Sequence, residues 1–314
     1  MPRVLHTAQA LVDVMIEVPA LPSTGSNVNA VGVPRSYAGG AVTISLAAAR
    51  VGATAVHGGA HGEGPNGDLI RVVLRENGIG LSSPVVEGKD TGSCYVFVEP
   101  SAERTFVTCY GAERDITAES LALLEPSKGD LVCVSGYSLF EPTRDPLLAF
   151  LDALTPGALL VLDPGAPFAS FPRDLRDRVL ARTDVWTSNA DEAREITGID
   201  DVAGTLPALG RLLGTGAVVI VRDGSDGCYL FERGHLDYVP GYPQKAVDTN
   251  GAGDTHTGIV LGERALGLSW LDAARRANAG AALKVTRKGP ITAPTREEID
   301  AFLATNPATS LEAR

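Results

Sequence analysis

The sequence is short of the features that mark whole classes of protein. It contains no run of 18 or more apolar residues, so nothing in it reads as a transmembrane helix. Its four cysteines (Cys94, Cys109, Cys133 and Cys228) are scattered, with no CxxC pair and no Cys/His spacing suited to zinc. They are expected to be reduced, half-buried small residues of a cytosolic protein. Basic residues are outnumbered, 27 Lys and Arg against 38 Asp and Glu, which gives a net charge of −11. That balance argues against nucleic acid or an anionic membrane as the main partner, though not against a small anion in its own pocket. No period of 20–50 residues, low-complexity block or clear linker stands out. The opening stretch MPRVLHTAQALVDVMIEV carries Asp13 and Glu17 among its apolar residues and reads as a first strand, not a signal peptide. The expectation is a soluble, cytoplasmic protein.

What is present has an α/β rhythm. The 314 residues suffice for one large domain or two ordinary ones. Strand-like runs (ATAVHGGA, LVCVSGY, ALLVLDPG, DVWTSN, AVVIVRDG) alternate with helical ones such as AVTISLAAARVG, DLIRVVLRENGI, PLLAFLDAL, RDLRDRVLART and ADEAREITG. The end is helical, in THTGIVLGERALG, SWLDAARRANAGAALKVTRKG and TREEIDAFLATN, before a frayed tail TSLEAR. Repeated strand–helix units predict a mostly parallel sheet covered by helices on both faces. Two stretches break the rhythm. GSCYVFVEP and ERTFVTCYG form a hairpin around the turn Pro100-Ser101-Ala102, and 19–38 is rich in Pro and Gly. Together they predict a small β lid, from about 14–38 and 91–109, over the mouth of a single large domain spanning 1–314.

Two glycine motifs compete for a phosphate. Gly62-Glu63-Gly64-Pro65-Asn66-Gly67 is a literal GxGxxG between a strand and a helix, with Glu87 about 20 residues on, as a dinucleotide fingerprint requires. Pro65 and Asn66, however, suit an ordinary turn. Asp248-Thr249-Asn250-Gly251-Ala252-Gly253-Asp254-Thr255 is sharper. It puts Gly251, Ala252 and Gly253 where a helix begins, and a helix start offers unpaired N–H groups and partial positive charge to an anion. Glycines let the backbone approach that anion closely. Asp254 beside a resting phosphate would only repel it, so the economical role is general base for an attacking hydroxyl. The plain alternative is a tight turn with a first-turn Asp.

The string DTNGAGDT resembles the C-terminal signature of the ribokinase (PfkB) family of sugar and nucleoside kinases. Gly39-Gly40 before a helix resembles the family's di-glycine switch under its lid. Asn189-Ala190-Asp191-Glu192 is similar to its NxxE motif, and VTRKG (285–289) to its late nucleotide- and cation-site segment. There is no Walker A loop, since Gly88-Lys89 is followed by Asp90, and that too is as in this family. The resemblance implies a three-layer α/β/α domain with a β lid, and transfer of the ATP γ-phosphoryl to a hydroxyl, in the first place a primary one, of a small sugar, with a nucleoside as the alternative acceptor. It implies Asp254 as base, the 251–254 amides as anion hole, and Asp13, Gly39, Gly40 and Thr43 as substrate contacts. It also implies Asn189, Arg222, Gly224, Gly227 and Asn278 around the nucleotide. Glu192 would organise Mg2+ through water, and Asp248 would help form a site for a monovalent cation such as K+. Edge strands of the lid could pair in a homodimer.

By residue type alone several of these positions have plainer readings. An NxxE often marks a helix start, Asp223–Gly227 makes a good hairpin turn, and strand alternation could turn Asp13 to solvent. Two departures from the family pattern stand out. Thr43 occupies the place of an Asn in a segment about one residue short, so substrate contacts there differ. His256 stands where Phe is usual and reads as a packing residue. Two rival functions remain: a nicotinamide-dependent oxidoreductase using residues 62–67, and a sugar or nucleotide sensor without turnover. The intact Asp254 counts against the sensor.

Overall fold

The computed structural model describes residues 1–101 and 103–306, so Ala102 of the expected hairpin turn and the tail from 307 lie outside the described residues. A nine-stranded sheet runs in the order His235–Pro240, Gly227–Glu232, Val218–Arg222, Val185–Asn189, Leu159–Asp163, Leu131–Ser135, Val4–His6, Ala55–His57, Gly80–Leu81. From Val218–Arg222 to Gly80–Leu81 every pairing is parallel, and the hairpin 227–240 closes one edge antiparallel. Such strands read as unbroken apolar runs because helices cover both faces. Alternate residues feed two cores. Val4, Leu131, Val161 and Val218 pack under helices Ala41–Arg50, Pro65–Glu76, Ala252–Ala265 and Trp270–Val285. Leu5, Val132, Leu160 and Val219 pack against Arg144–Asp152, Arg173–Leu180 and Val202–Leu212. This is the expected three-layer α/β architecture.

The expected first strand is two strands. Val4–His6 lies in the large sheet, and Ala10–Glu17 in a separate four-stranded sheet ordered Arg35–Gly40, Ala10–Glu17, Ser93–Val98, Arg104–Cys109. The break comes where Thr7 N still bonds to Cys133 O of the large sheet while Gln9 O already accepts the Ala41 amide. The small sheet thus starts at Ala10, before the expected residue 14, and carries Asp13 with it. Val12 and Ala38 are buried on one face and Val96 on the other; Phe106 and Val107 are exposed.

Helix Ala252–Ala265 begins earlier than its apolar pattern implied, directly after Gly251. Close approach fixes its position. A Cβ on Gly258 would stand 2.3 Å from Ile44 O, so helix Ala41–Arg50 lies against it backbone to backbone. Helix Trp270–Val285 stops before residues 286–289, which leave the helix as a turn.

Candidate active site

Three neighbouring parallel strands end on polar residues: Asp163, Asn189 and Arg222 are the last residues of their strands. Asn189 and Arg222 are register partners, so the strand ends form one shelf. This carboxyl edge lies beside the point where the strand order reverses, between Val4–His6 and Leu131–Ser135, which is where open α/β sheets bind ligands. Arg222 is held across the shelf. Its Nη1 donates to Thr187 Oγ1 (2.8 Å) and Thr257 Oγ1 (2.9 Å), and its Nη2 lies 4.0 Å from Asp163 Oδ2.

Above the shelf begins the helix Ala252–Ala265. Gly251 caps it in the left-handed region, with φ of 74°, where a Cβ would be strained and would meet Pro290 O and Thr43 Cγ2 at 3.1 Å. Gly253 faces the Arg222 guanidinium, which a Cβ would meet at 3.6 Å. The first-turn amides therefore open beside a fixed positive charge. Asp254, in that first turn, has its carboxyl pushed up to about 7, first by burial and then by repulsion from Asp163, with Asp13 and Glu192 adding to it and Arg222 opposing. A carboxyl poised near neutrality beside an anion hole is fit to take a proton from a hydroxyl.

Asp13 reaches the same space from the small sheet, and burial raises its carboxyl to about 6. Its side chain is half-buried and is not turned out to open solvent. Its carboxylate lies over Gly39, where a Cβ would meet Oδ2 at 2.3 Å. Gly40, with φ of 59°, caps helix Ala41–Arg50, and a Cβ there would run into Gln9 O at 2.6 Å. Thr43 is buried in that helix with its methyl toward Gly251. The di-glycine thus gives Asp13 its room and brings the helix carrying Thr43 to the anion-hole turn.

On the far side of the anion hole a cavity of ≈ 420 Å³ is lined by Asn189, Arg222, Gly224, Gly227, His256 and Asn278, among others. Asn278 Nδ2 donates to Val239 O (2.9 Å) and Pro240 O (3.1 Å), so its Oδ1 is left to accept from His256 Nε2 at 3.0 Å. Burial lowers the His256 imidazole to about 3, so it is neutral and its Nε2 carries the proton. It is a packed, bonded wall residue, as its residue type led one to expect.

Family membership follows from comparison with known proteins. The family model for pfkB family carbohydrate kinases matches residues 1–297. The chain belongs to this family. An uncharacterized sugar kinase of Escherichia coli (strain K12), YegV, is 32% identical over 301 residues, covering 94% of this chain and 92% of that protein. Among solved structures, an Escherichia coli protein described as a ribokinase II, in complex with ATP and Mg2+, superposes with a TM-score of 0.83 at 22% identity, over 97% of this chain and 100% of that one. Arabidopsis thaliana ribokinase, complexed with ribose and ATP, gives a TM-score of 0.78 at 22% identity, over 96% of this chain and 98% of that one. At that identity the structures speak for the fold. As a pfkB carbohydrate kinase, the chain is a phosphotransferase acting on a sugar hydroxyl.

Within this pfkB kinase the first glycine motif has another use. The backbone amides of Asn66 and Gly67, at the start of helix Pro65–Glu76, donate to the Asp90 carboxylate at 3.1 and 2.9 Å. A Cβ on Gly62 would strike Lys89 O at 2.2 Å, and one on Gly64 would strike Asp90 Cγ at 2.5 Å. The chain's own 87–91 loop fills the place a pyrophosphate would take, and Glu87 is exposed in that loop. The oxidoreductase reading falls with it.

Asn189 and Glu192 form a reciprocal capping box: Asn189 Oδ1 accepts the Glu192 amide and Glu192 Oε2 accepts the Asn189 amide. The pair still fits a cation, because burial and the neighbouring Asp163 both raise the Glu192 carboxyl, a sign of uncompensated negative charge. Among the described residues no group of three or more His, Cys, Asp or Glu could hold a metal directly. Asp248 does not fit a monovalent cation. Its Oδ1 accepts from Arg104 Nη2 (2.8 Å) and the Asn250 amide (2.9 Å), its Oδ2 from the Gly289 amide (2.9 Å), and its carbonyl from Lys284 Nζ (2.8 Å).

Two residues escaped the sequence reading. Asp163 had only DPG after an apolar strand as a signal, and its pairing with Arg222 is made across two strand ends. Lys284 stands in the last turn of its helix, where lysine is common, yet it is fully buried. Of the cysteines, Cys109 is exposed and the other three are buried.

Proposed function

We propose that this chain is an ATP-dependent kinase that phosphorylates a hydroxyl, in particular a primary one, of a small sugar. The observation that carries the reading is the helix start at Gly251–Asp254, where the first-turn amides, the Arg222 guanidinium and a carboxyl poised near neutrality meet opposite Asp13. ATP would lie in the cavity bounded by Asn189, Gly224, Gly227 and Asn278, with its γ-phosphate at the anion hole. The sugar would lie between Asp13, Gly39, Gly40 and Thr43 on one side and Asp254 on the other. Asp254 takes the hydroxyl proton as the oxygen attacks the γ-phosphorus. The bond to the β–γ bridging oxygen breaks, ADP leaves, and the spread charge is met by the 251–254 amides and Arg222. Magnesium, when bound, neutralises phosphate charge, and Glu192 and Asp163 are the residues suited to hold its water shell. Asp13, half-buried with a raised carboxyl, is satisfied when sugar hydroxyls bond to it.

The test is ADP release with magnesium and ATP across a panel of pentoses, hexoses and nucleosides. Turnover on a sugar is expected. Turnover confined to nucleosides would move the acceptor class, and none with any acceptor would sink the kinase reading for this chain.

A further inference from the structure

The turn that leads into the anion hole is pinned from below by the end of helix Trp270–Val285. Val285 O accepts the amides of both Val247 (2.7 Å) and Asp248 (3.0 Å). Beside it, Lys284 Nζ donates to the main-chain carbonyl of Asp248 at 2.8 Å. Lys284 is among the largest fully buried side chains of the protein, at 0% exposure. Arg104 and the amides of Asn250 and Gly289 hold the Asp248 carboxylate from the other side. Asp248 is therefore fixed at both its side chain and its carbonyl, and Gly251 follows three residues on.

A buried ammonium is costly, by several kcal/mol after relaxation, and an apolar side chain of similar volume would fill the space without that cost. The charge must therefore serve something. Against burial and the neighbouring Arg104, two features of the place favour a cation: the last turn of a helix, and the carboxylates of Asp248 and Asp254, both close enough to attract the ammonium. Toward a carbonyl oxygen, an ammonium and a small monovalent cation present the same thing, a single compact positive charge. The disagreement between Asp248 and an external cation thus has a physical explanation.

We propose that Lys284 is a positioning residue whose ammonium serves as a built-in monovalent cation, holding the Asp248 carbonyl and so aiming the 249–251 turn, which frees the enzyme from any need for external potassium or ammonium. The inference rests on the kinase reading above. Its test is a set of cation titrations at fixed ionic strength, with choline chloride as the inert salt. Wild-type kcat/KM should change by less than about twofold when potassium or ammonium chloride replaces choline chloride. Lys284→Ala should lose at least about tenfold in kcat/KM and regain several-fold with ammonium or potassium chloride, whereas Lys284→Met, which fills the space without charge, should not recover. Affinity for magnesium–AMP-PNP by calorimetry should follow the same pattern and needs no acceptor. If no acceptor is turned over, the kinase reading falls while the binding pattern still decides on Lys284. A wild type strongly stimulated by potassium would overturn the proposal, as would Lys284→Ala with wild-type behaviour or a folded Lys284→Ala that no cation restores. Should Lys284→Ala fail to fold by circular dichroism, the wild-type cation response alone decides: indifference supports the proposal and stimulation refutes it.

Discussion

At the residue scale, Asp254 is destabilising in the free protein by the same physics that suits it to catalysis. Its folded carboxyl sits at about 7 and that of the unfolded chain near 3.8, so folding favours the protonated form. As pH rises from about 4 to 7 the unfolded chain releases this proton first, and stability falls across that window. The full penalty stands above pH 7 and amounts to at most about 4 kcal/mol. Asp254→Asn should therefore lower turnover by about 10²–10⁴-fold, the usual worth of a general base. The same variant should melt higher than wild type at pH 8, and that gain should vanish near pH 4; equal melting points at pH 8 would argue against the strained carboxyl. Wild-type kcat/KM should rise about tenfold per pH unit below about 7 and level off above it. Gly39→Ala tests the sugar side. The added Cβ displaces the Asp13 carboxylate, so KM for the accepted sugar should rise at least about tenfold while AMP-PNP affinity stays unchanged.

At the element scale, two helix starts with similar glycine spacing have opposite fates. The start at Pro65 is closed by Asp90, a side chain of the same protein, while the start at Ala252 is left open beside Arg222. Asp90→Ala removes a cap from buried backbone, and should cost about 1–2 kcal/mol in chemical denaturation with turnover unaltered. Loss of nucleotide affinity in that variant would revive residues 62–67 as a ligand site. The small sheet is tied to the turn before helix Ala252–Ala265 by Arg104 to Asp248, and to the 284–290 segment by Lys288 to Glu17 at 2.5 Å. The second pair is largely exposed and is worth at most about 1 kcal/mol. The first is mostly buried and touches the turn that aims the amides, so it couples the small sheet to the phosphate site.

At the scale of the whole molecule, the small sheet ends in an open edge. Strand Arg104–Cys109 has no neighbour beyond it among the described residues, and Phe106 and Val107 are 56% and 51% exposed. We propose that a second copy covers this edge, giving a homodimer joined through the small sheets. Light scattering should give twice the chain mass, and Phe106→Asp should halve it; a wild-type monomer at assay and at high concentration would exclude the dimer. The net charge of −11 is compatible with ATP for a reason of scale. In the proposed binding mode the phosphates would meet oriented amides and one guanidinium, which a count of basic residues does not register.

How much was legible before folding depended on the range of the interaction. Local patterns settled the alternation of strands and helices and the hairpin of the small sheet, and the glycines, not the apolar pattern, marked the helix start after Gly251, because such signals act within a few residues. The motif DTNGAGDT marked Asp254 and the neighbouring amides as candidates for the same reason. Long-range approach decided the rest. Only the assembled sheet brings Asp163 and Arg222 together, lays Asp13 over Gly39, fills one glycine turn with Asp90, and puts a buried ammonium where an external cation was expected. Sequence alone determined which backbone could receive a phosphate; tertiary packing determined which one is left open to receive it, since an unpaired amide takes the nearest acceptor the fold supplies.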